Sequence, residues 1–251
     1  MATSKKVTNV STGESSTTSS NQPWQPTESA KSKSTQIRIF AAIAFVIAIG
    51  IEVGAIFLLQ EKPVNMTWLI IMIVAILIFA VTGSILWKKA NRIDPASEKN
   101  KFKFFVQNQL GMIIAVIAFV PLIILIITNK NMTGKQKGIA GGIAGAALII
   151  AGLVGTDFNP PSVEQYTEQT AQVENLIGTN QVFWTPSGKS YHLYNECGYI
   201  NGERTKEIFS GTVADARELK NITDICNRCE NKAIKAKGSD LLEEVTDAVT
   251  E

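Results

Sequence analysis

The chain has little of what most enzymes use. It contains one histidine and three cysteines in 251 residues. No glycine-rich phosphate loop, serine–histidine pair or paired-carboxylate signature is found along it. If its single histidine holds a metal, no imidazole is left for acid–base chemistry. Charge is also scarce, at 18% of residues. Up to Gly155 only six acidic residues accompany 15 basic ones. These shortages argue against an enzyme. The odd number of cysteines argues against a purely intramolecular disulfide framework, which would leave one thiol over.

Apolar residues, by contrast, make up 45% of the chain and crowd into its first part. Ile39–Leu59, Thr67–Trp87 and Leu110–Thr128 are each long enough to cross a bilayer, and Gly138–Gly155 is just sufficient, since a span needs about 20 helical residues. Four consecutive helices apolar all round are not expected inside a soluble protein. The fold class predicted is therefore an all-α four-helix transmembrane bundle over 37–155, followed by a small α+β domain. Ahead of the bundle, 1–36 is rich in Ser and Thr, with Pro23, Pro26 and hardly a large apolar side chain except Trp24. Such a composition cannot offset its ordering entropy, so a disordered tail is expected. The first apolar run starts only after Gln36 and exceeds the usual core of a cleaved signal, so it is expected to remain as a helix.

Basic residues beside spans stay on the cytoplasmic side. The tail through Arg38 carries five (Lys5, Lys6, Lys31, Lys33, Arg38), the first loop only Lys62, and the second loop six, from Lys88 to Lys103. The short third loop dissents with Lys130, Lys135 and Lys137. The contrast between the first two loops predicts a multi-pass protein of the cell (cytoplasmic) membrane with both termini cytoplasmic.

Three features inside the spans invite a functional reading. Glu52 lies mid-span, where a carboxylate is costly and marks either a site or a packed, protonated group. Pro121 removes one backbone donor from the third span, where a kink is expected. In the fourth span Gly138/Gly142 and Gly141/Gly145 form two G-x3-G pairs, a groove for a neighbouring helix. Packing within the bundle is the expected use, and self-association into a homo-oligomer the alternative.

Beyond the spans, 156–179 reads as a linker and short helix, 180–237 as a folded domain and 238–251 as an acidic tail. Val182–Thr185 and Ser190–Tyr194 flank Pro186, Ser187 and Gly188 and predict a β-hairpin. Thr212 caps an expected helix to Lys220. All of the scarce ligand residues fall in this region, as His192-x4-Cys197 and Cys226-x2-Cys229. Two thiolates two residues apart grip a metal from a tight knuckle, and a distant pair completes the tetrahedron that zinc prefers. The predicted site is a structural Zn2+ held by His192, Cys197, Cys226 and Cys229. Four protein ligands leave no open position for catalytic water. Glu196, beside Cys197, is the carboxylate considered as a base, and a solvated neighbour is the simpler account.

The run from Trp184 to His192, then Cys197, and a short helix before Cys226-x2-Cys229 resembles the small Ada-like zinc fold. That fold occurs in the metal-binding domain of Ada-type DNA alkylation-repair proteins and as a tail on some bacterial nucleases and membrane proteins. The resemblance covers about Val182–Glu230 and implies the same four ligands. A histidine stands at one place that is cysteine in the repair proteins. No methyltransferase or nuclease domain accompanies it.

From Thr156 onward nine basic residues face 16 acidic ones. A surface that neutralises phosphates must be basic, so nucleic acid is not an expected partner, although Arg204, Arg217 and Arg228 could form a local patch. The basic residues flanking the spans instead suit a lipid bilayer with anionic headgroups. The function expected is an integral membrane protein that presents the zinc domain to protein partners. A transporter or channel-like protein using Glu52 with zinc as regulator, and a membrane-tethered DNA-processing protein, are the alternatives. With both termini cytoplasmic, a membrane-impermeant thiol reagent should leave all three cysteines unmodified in intact cells even after chelation. It should label them once the cells are opened; labelling from outside refutes the orientation.

Overall fold

The computed structural model describes residues 6–10 and 23–250, with side chains described up to 238. The chain forms two compact units. One is Glu28–Pro161; the other joins Met1–Thr27 to Ser162–Glu251, so the first unit is an insertion within the second.

The inserted unit is four helices, α1 (Glu28–Leu58), α2 (Met66–Ile93), α3 (Lys101–Thr128) and α4 (Gly134–Gly155). All four are long and apolar enough to cross a membrane, with mean hydropathy of 2.5, 3.0, 3.2 and 2.0. Helices α2, α3 and α4 outlast their apolar runs because polar residues cap them. The Asn65 and Asn100 side chains accept from backbone N–H groups of α2 and α3, and Thr133 forms a capping box with Gln136. Helix α1 begins at Glu28, short of the boundary expected at 37. An acidic residue suits a helix start, and Glu28 pairs with Lys31 at 2.9 Å.

Polar contacts fix the order of the helices. Arg38 near the start of α1 pairs with Asp94 at the end of α2 at 2.7 Å. Asn91 of α2 donates to the Gln107 carbonyl of α3 at 2.8 Å, and Gln109 of α3 donates to the Asp157 carbonyl just past α4 at 2.9 Å. At the opposite end Asn129 donates to the Leu59 carbonyl at 2.7 Å. The bundle therefore runs up, down, up, down, with its entry and exit at one end.

Its packing face is lined by small residues. Ala41, Ala44, Ala48 and Ala55 line α1, and Ala140, Ala144, Ala147 and Ala151 line α4, while Phe40, Val46, Phe57, Ile78, Ile149 and Leu153 are exposed. Small residues bring backbones close and leave the large apolar groups outward, the arrangement that suits lipid and not water. Glu52 is 4% exposed on the same α1 face as Ala48 and Ala55. Helix α3 runs unbroken through Pro121.

Of the four glycines in the G-x3-G pairs, Gly141 packs in the bundle, with Ile126 of α3 3.9 Å from where its Cβ would stand, while Gly138, Gly142 and Gly145 have nothing within 4 Å and the alanines of α4 supply most of the packing. The glycine that matters is Gly155, whose added Cβ would lie 2.5 Å from the Gly111 carbonyl carbon and from the Met112 nitrogen.

The second unit holds the strands. Strands β1 (Lys6–Asn9), β4 (Glu207–Gly211) and β2 (Val182–Trp184) form one sheet in the order β1-β4-β2, and β3 (Ser190–Tyr191) and β5 (Asp224–Ile225) form a parallel pair. Helices α5 (Val163–Ile177), α6 (Val213–Lys220) and α7 (Asn227–Thr250) complete it. The core gathers Val173, Val182, Trp184, Tyr191, Leu193, Ile208, Val213 and Ile222 around the cysteines.

Several expectations change in this unit. The predicted hairpin is present as reciprocal bonds between Phe183 and His192, at 2.8 and 2.7 Å, with the Gly188 N–H closing the turn on the Thr185 carbonyl. Its two arms, however, find their regular ladders elsewhere, β2 with β4 and β3 with β5. The short helix expected after the linker is α5, and it belongs to the domain, with Val173 fully buried in this core. The segment read as an acidic tail continues α7 to Thr250. Lys6–Asn9, expected to be disordered, is a strand; the tail residues 11–22 lie outside the described residues.

Gly155→Ala should cost about 1–3 kcal/mol, because backbone atoms cannot yield to the new methyl. Gly142→Ala should leave stability level or raise it by up to about 1 kcal/mol through helix propensity. Thermal unfolding of the purified protein in detergent compares the two, and equal midpoints would contradict the α3–α4 crossing described.

Candidate metal centre

The parallel pairing of β3 with β5 builds the site. Tyr191 sits opposite Ile225, and the Cys226 N–H donates to the Tyr191 carbonyl at 2.9 Å. The next residues along the two strands are His192 and Cys226, so the register alone sets two of the predicted ligands side by side. Cys226 then starts α7: its carbonyl accepts from the Glu230 N–H at 3.0 Å, and Cys229 falls in the first helical turn. One helical turn is what lets C-x2-C direct both thiols to the same point. The fourth ligand arrives on a tight turn, where the Cys197 N–H donates to the Tyr194 carbonyl at 3.2 Å and the Cys197 carbonyl accepts from Ile200 and Asn201.

The result is a closed cluster. One ligand atom from each of His192, Cys197, Cys226 and Cys229 lies within 4.8 Å of the others, and all four residues are buried. These four lie close enough to hold a metal ion. The His192 Nδ1 is 3.7 Å from the Cys229 Sγ. That separation matches the edge of a tetrahedron with metal–sulfur bonds of about 2.3 Å and a metal–nitrogen bond of about 2.0–2.1 Å, on the order of 3.6 Å. The thiols are not joined as disulfides.

Burial sets the protonation chemistry. It pushes the Cys229 thiol up, with the neighbouring Cys197 thiol adding to the effect through a hydrogen bond and charge. Burial also lowers the His192 imidazole and so keeps it neutral, the form that ligates. The Tyr191 phenol is pushed up to about 12 by burial, then by Asp224 and Glu230, and stays a neutral hydroxyl. A buried thiolate cluster is expensive without a cation, and a divalent metal reverses the preference.

Around the ligands, α5 acts as a brace. Gln169 donates to the Thr223 carbonyl at 2.9 Å, Gln172 to Glu230 at 2.8 Å, and Lys237 of α7 to the Asn175 carbonyl at 2.8 Å. This is the short helix expected within 156–179, and its buried residues Tyr166, Thr170 and Val173 stand at helical spacing. Glu196 is exposed, as a solvated neighbour is.

Of the three arginines considered for a basic patch, Arg217 is 1% exposed and lies over the Tyr166 ring, while Arg228 lies over Tyr199. A cleft of about 540 Å3 borders the ligands, walled in part by Lys189, Tyr199, Asp224 and Arg228. Its charges are of both signs. No protein-family model, curated protein or solved structure matches this chain.

Cys226→Ser and Cys229→Ser should each abolish metal retention and the folding of this unit, since metal affinity supplies about 10 kcal/mol or more in small structural sites. His192→Cys should be tolerated far better, because thiolate replaces imidazole in a tetrahedral shell. Elemental analysis of the purified chains, with circular dichroism alongside, reads both. A well-folded, metal-free wild-type protein would refute the assignment.

Proposed function

We propose that this chain is a multi-pass membrane protein that carries a structural zinc domain on the cytoplasmic face as an interaction module for other proteins. The observation that carries the reading is the closure of the ligand set: four buried protein ligands within 4.8 Å of one another. Thiolate-rich shells of this kind select zinc and hold a fold together, whereas catalytic zinc keeps a position open for water. Of the two carboxylates next to a ligand in sequence, Glu196 is turned to solvent and Glu230 accepts from Gln172.

Membrane residence is supported by the four apolar helices and by the large side chains on their outer surface. Orientation rests on two further features. An up-down-up-down bundle returns the chain to the side it came from, and the residues on either side of it, Met1–Thr27 and Ser162–Glu251, belong to one compact unit. Both termini then share a face, and the basic residues of the tail and second loop make it the cytoplasmic one. There the thiol ligands are kept reduced. The reading of the metal unit as an Ada-like zinc fold is supported by the Phe183–His192 pairing and by the entry of the C-x2-C knuckle into a helix.

A transport role for Glu52 has less support. The buried polar residues Asn91 and Asn108 belong to the end of the bundle that holds Arg38 and Asp94. Glu52 is about 21 Å from Arg38 along the helix, with Ala44 and Ala48 on the buried face between them. DNA processing is disfavoured by the acidic balance of the unit, the mixed charge of the cleft and the burial of Arg217.

Cobalt substitution tests the closed site. The Co2+ form of the full chain should show tetrahedral ligand-field bands with thiolate charge transfer, unchanged by azide or thiocyanate. A spectrum that shifts on adding either anion would reveal an open coordination position and overturn a structural role.

A further inference from the structure

Strand β4 has two edges of very different character. One is covered by β2, whose Val182 and Trp184 are fully buried, and the core side chains of β4 itself, Ile208 and Ser210, are 2% and 4% exposed. The strand is therefore held in place by the core. The other edge is covered only by β1, which runs parallel to it with Lys6 opposite Glu207 and Asn9 opposite Ser210. β1 is four residues long, and its Val7 is 47% exposed. Beyond the backbone ladder, Thr8 donates to the Glu207 carboxylate at 2.8 Å and Val10 rests half-buried against the core. A short, solvated edge strand of this kind opens at low free-energy cost, while the edge it leaves remains formed.

A second contact keeps the segment nearby. Trp24 packs edge-on against Tyr166 of α5, with ring centroids 4.7 Å apart, and its N–H donates to the Thr167 hydroxyl at 2.8 Å. A strand released from β4 thus remains tethered to the same unit, at an effective concentration on the order of 1 mM.

We propose that the outer edge of β4 is a peptide-docking site whose resident ligand is the chain's own segment Lys6–Val10, reversibly seated, so that the metal unit has a closed-edge and an open-edge state. The seated strand defines what the edge accepts: an extended peptide running parallel to β4, with a basic residue in register with Glu207 and a hydroxyl residue two positions later that reaches its carboxylate. An open edge binds such a segment by strand addition, backbone bonds giving affinity and the Glu207 contacts giving selectivity. The assignment stands on the β1–β4 pairing and does not depend on which metal the ligands hold.

The ladder makes the test specific. The Val10 N–H donates to the Ser210 carbonyl at 2.9 Å. Alternation along a strand therefore turns the Thr8 N–H toward β4 and the Val7 N–H away from it. Thr8→Pro should unseat the strand and Val7→Pro should not. Hydrogen exchange, followed by mass spectrometry on the full chain in nanodiscs, should show the amides of Ile208 and Ser210, which face β1, exchanging at least tenfold faster in a variant lacking residues 1–10 and in Thr8→Pro, with the β2-facing amides of Phe209 and Gly211 and protection in α7 unchanged. A synthetic peptide of residues 5–10 at about 1 mM, the concentration the tether imposes, should restore protection in the deletion variant, and a scrambled peptide should not. Equal protection of Ile208 and Ser210 with and without residues 1–10 would overturn the proposal. So would faster exchange that the peptide fails to reverse, since the edge would then be covered but not a docking site.

Discussion

The second unit depends on four ligand atoms meeting in a place closed to water. Three thiols and an imidazole packed within 4.8 Å make a poor apolar core by themselves. Bound to zinc, as we propose, they become its strongest element, because the metal ties the β3–β5 pair, the turn at Cys197 and the start of α7 to one point. Every other contact in the unit adds less. The core is modest, and its sheet and strand pair are short; units of this size commonly need such a staple. The Tyr191 carbonyl that receives the Cys226 N–H and the α5 side chains that bind Thr223 and Glu230 hold the ligands in their geometry, and the metal in turn holds them.

The four-helix unit solves the opposite problem. In the bilayer we propose for it, lipid tails supply no hydrophobic drive between apolar helices, so close approach of backbones has to do the packing. The alanine stripes of α1 and α4 and the Gly111–Gly155 crossing provide that approach, Leu69, Ile73, Ile76, Phe119 and Leu122 of α2 and α3 fill the interior, and other large side chains such as Phe40, Phe57 and Ile149 are left outside. Polar side chains are confined mostly to one end, where Arg38, Asn91, Asp94, Gln107 and Gln109 link three helices and the segment after α4. This placement sets the order of the helices and leaves Glu52 apart, buried in mid-span. Because the unit begins and ends at the same end, it can be inserted between residues 27 and 162 of the other unit without separating the two parts of that unit.

The four apolar helices and the gathering of His192, Cys197, Cys226 and Cys229 were legible in the sequence, and for the same reason. A long apolar run and a C-x2-C are local patterns with few other physical uses. Thr212 also announced α6, which its capping box with Asp215 now begins. What could not be read was pairing at long range. β1 and β4 are separated by nearly the whole chain, and a run of four polar or β-branched residues in a Ser/Thr-rich tail carries no sign of its partner. The hairpin was visible, but the ladders that its two arms form with β4 and β5 were not. In the fourth span the small-residue pattern was real, yet only tertiary contact reveals that the alanines and Gly141 face the bundle and Gly138, Gly142 and Gly145 do not. Helix ends were misplaced because hydropathy marks the length that suits lipid, while capping groups such as Asn65 and Thr133 mark the length of the helix.

The central claim is that one zinc ion joins these four side chains. X-ray absorption at the zinc edge, on the purified full-length protein, reads the shell directly. The account predicts three sulfur neighbours at about 2.3 Å and one nitrogen at about 2.0–2.1 Å, with no additional oxygen. A shell of two or fewer sulfurs, or one completed by an oxygen from water, would contradict it.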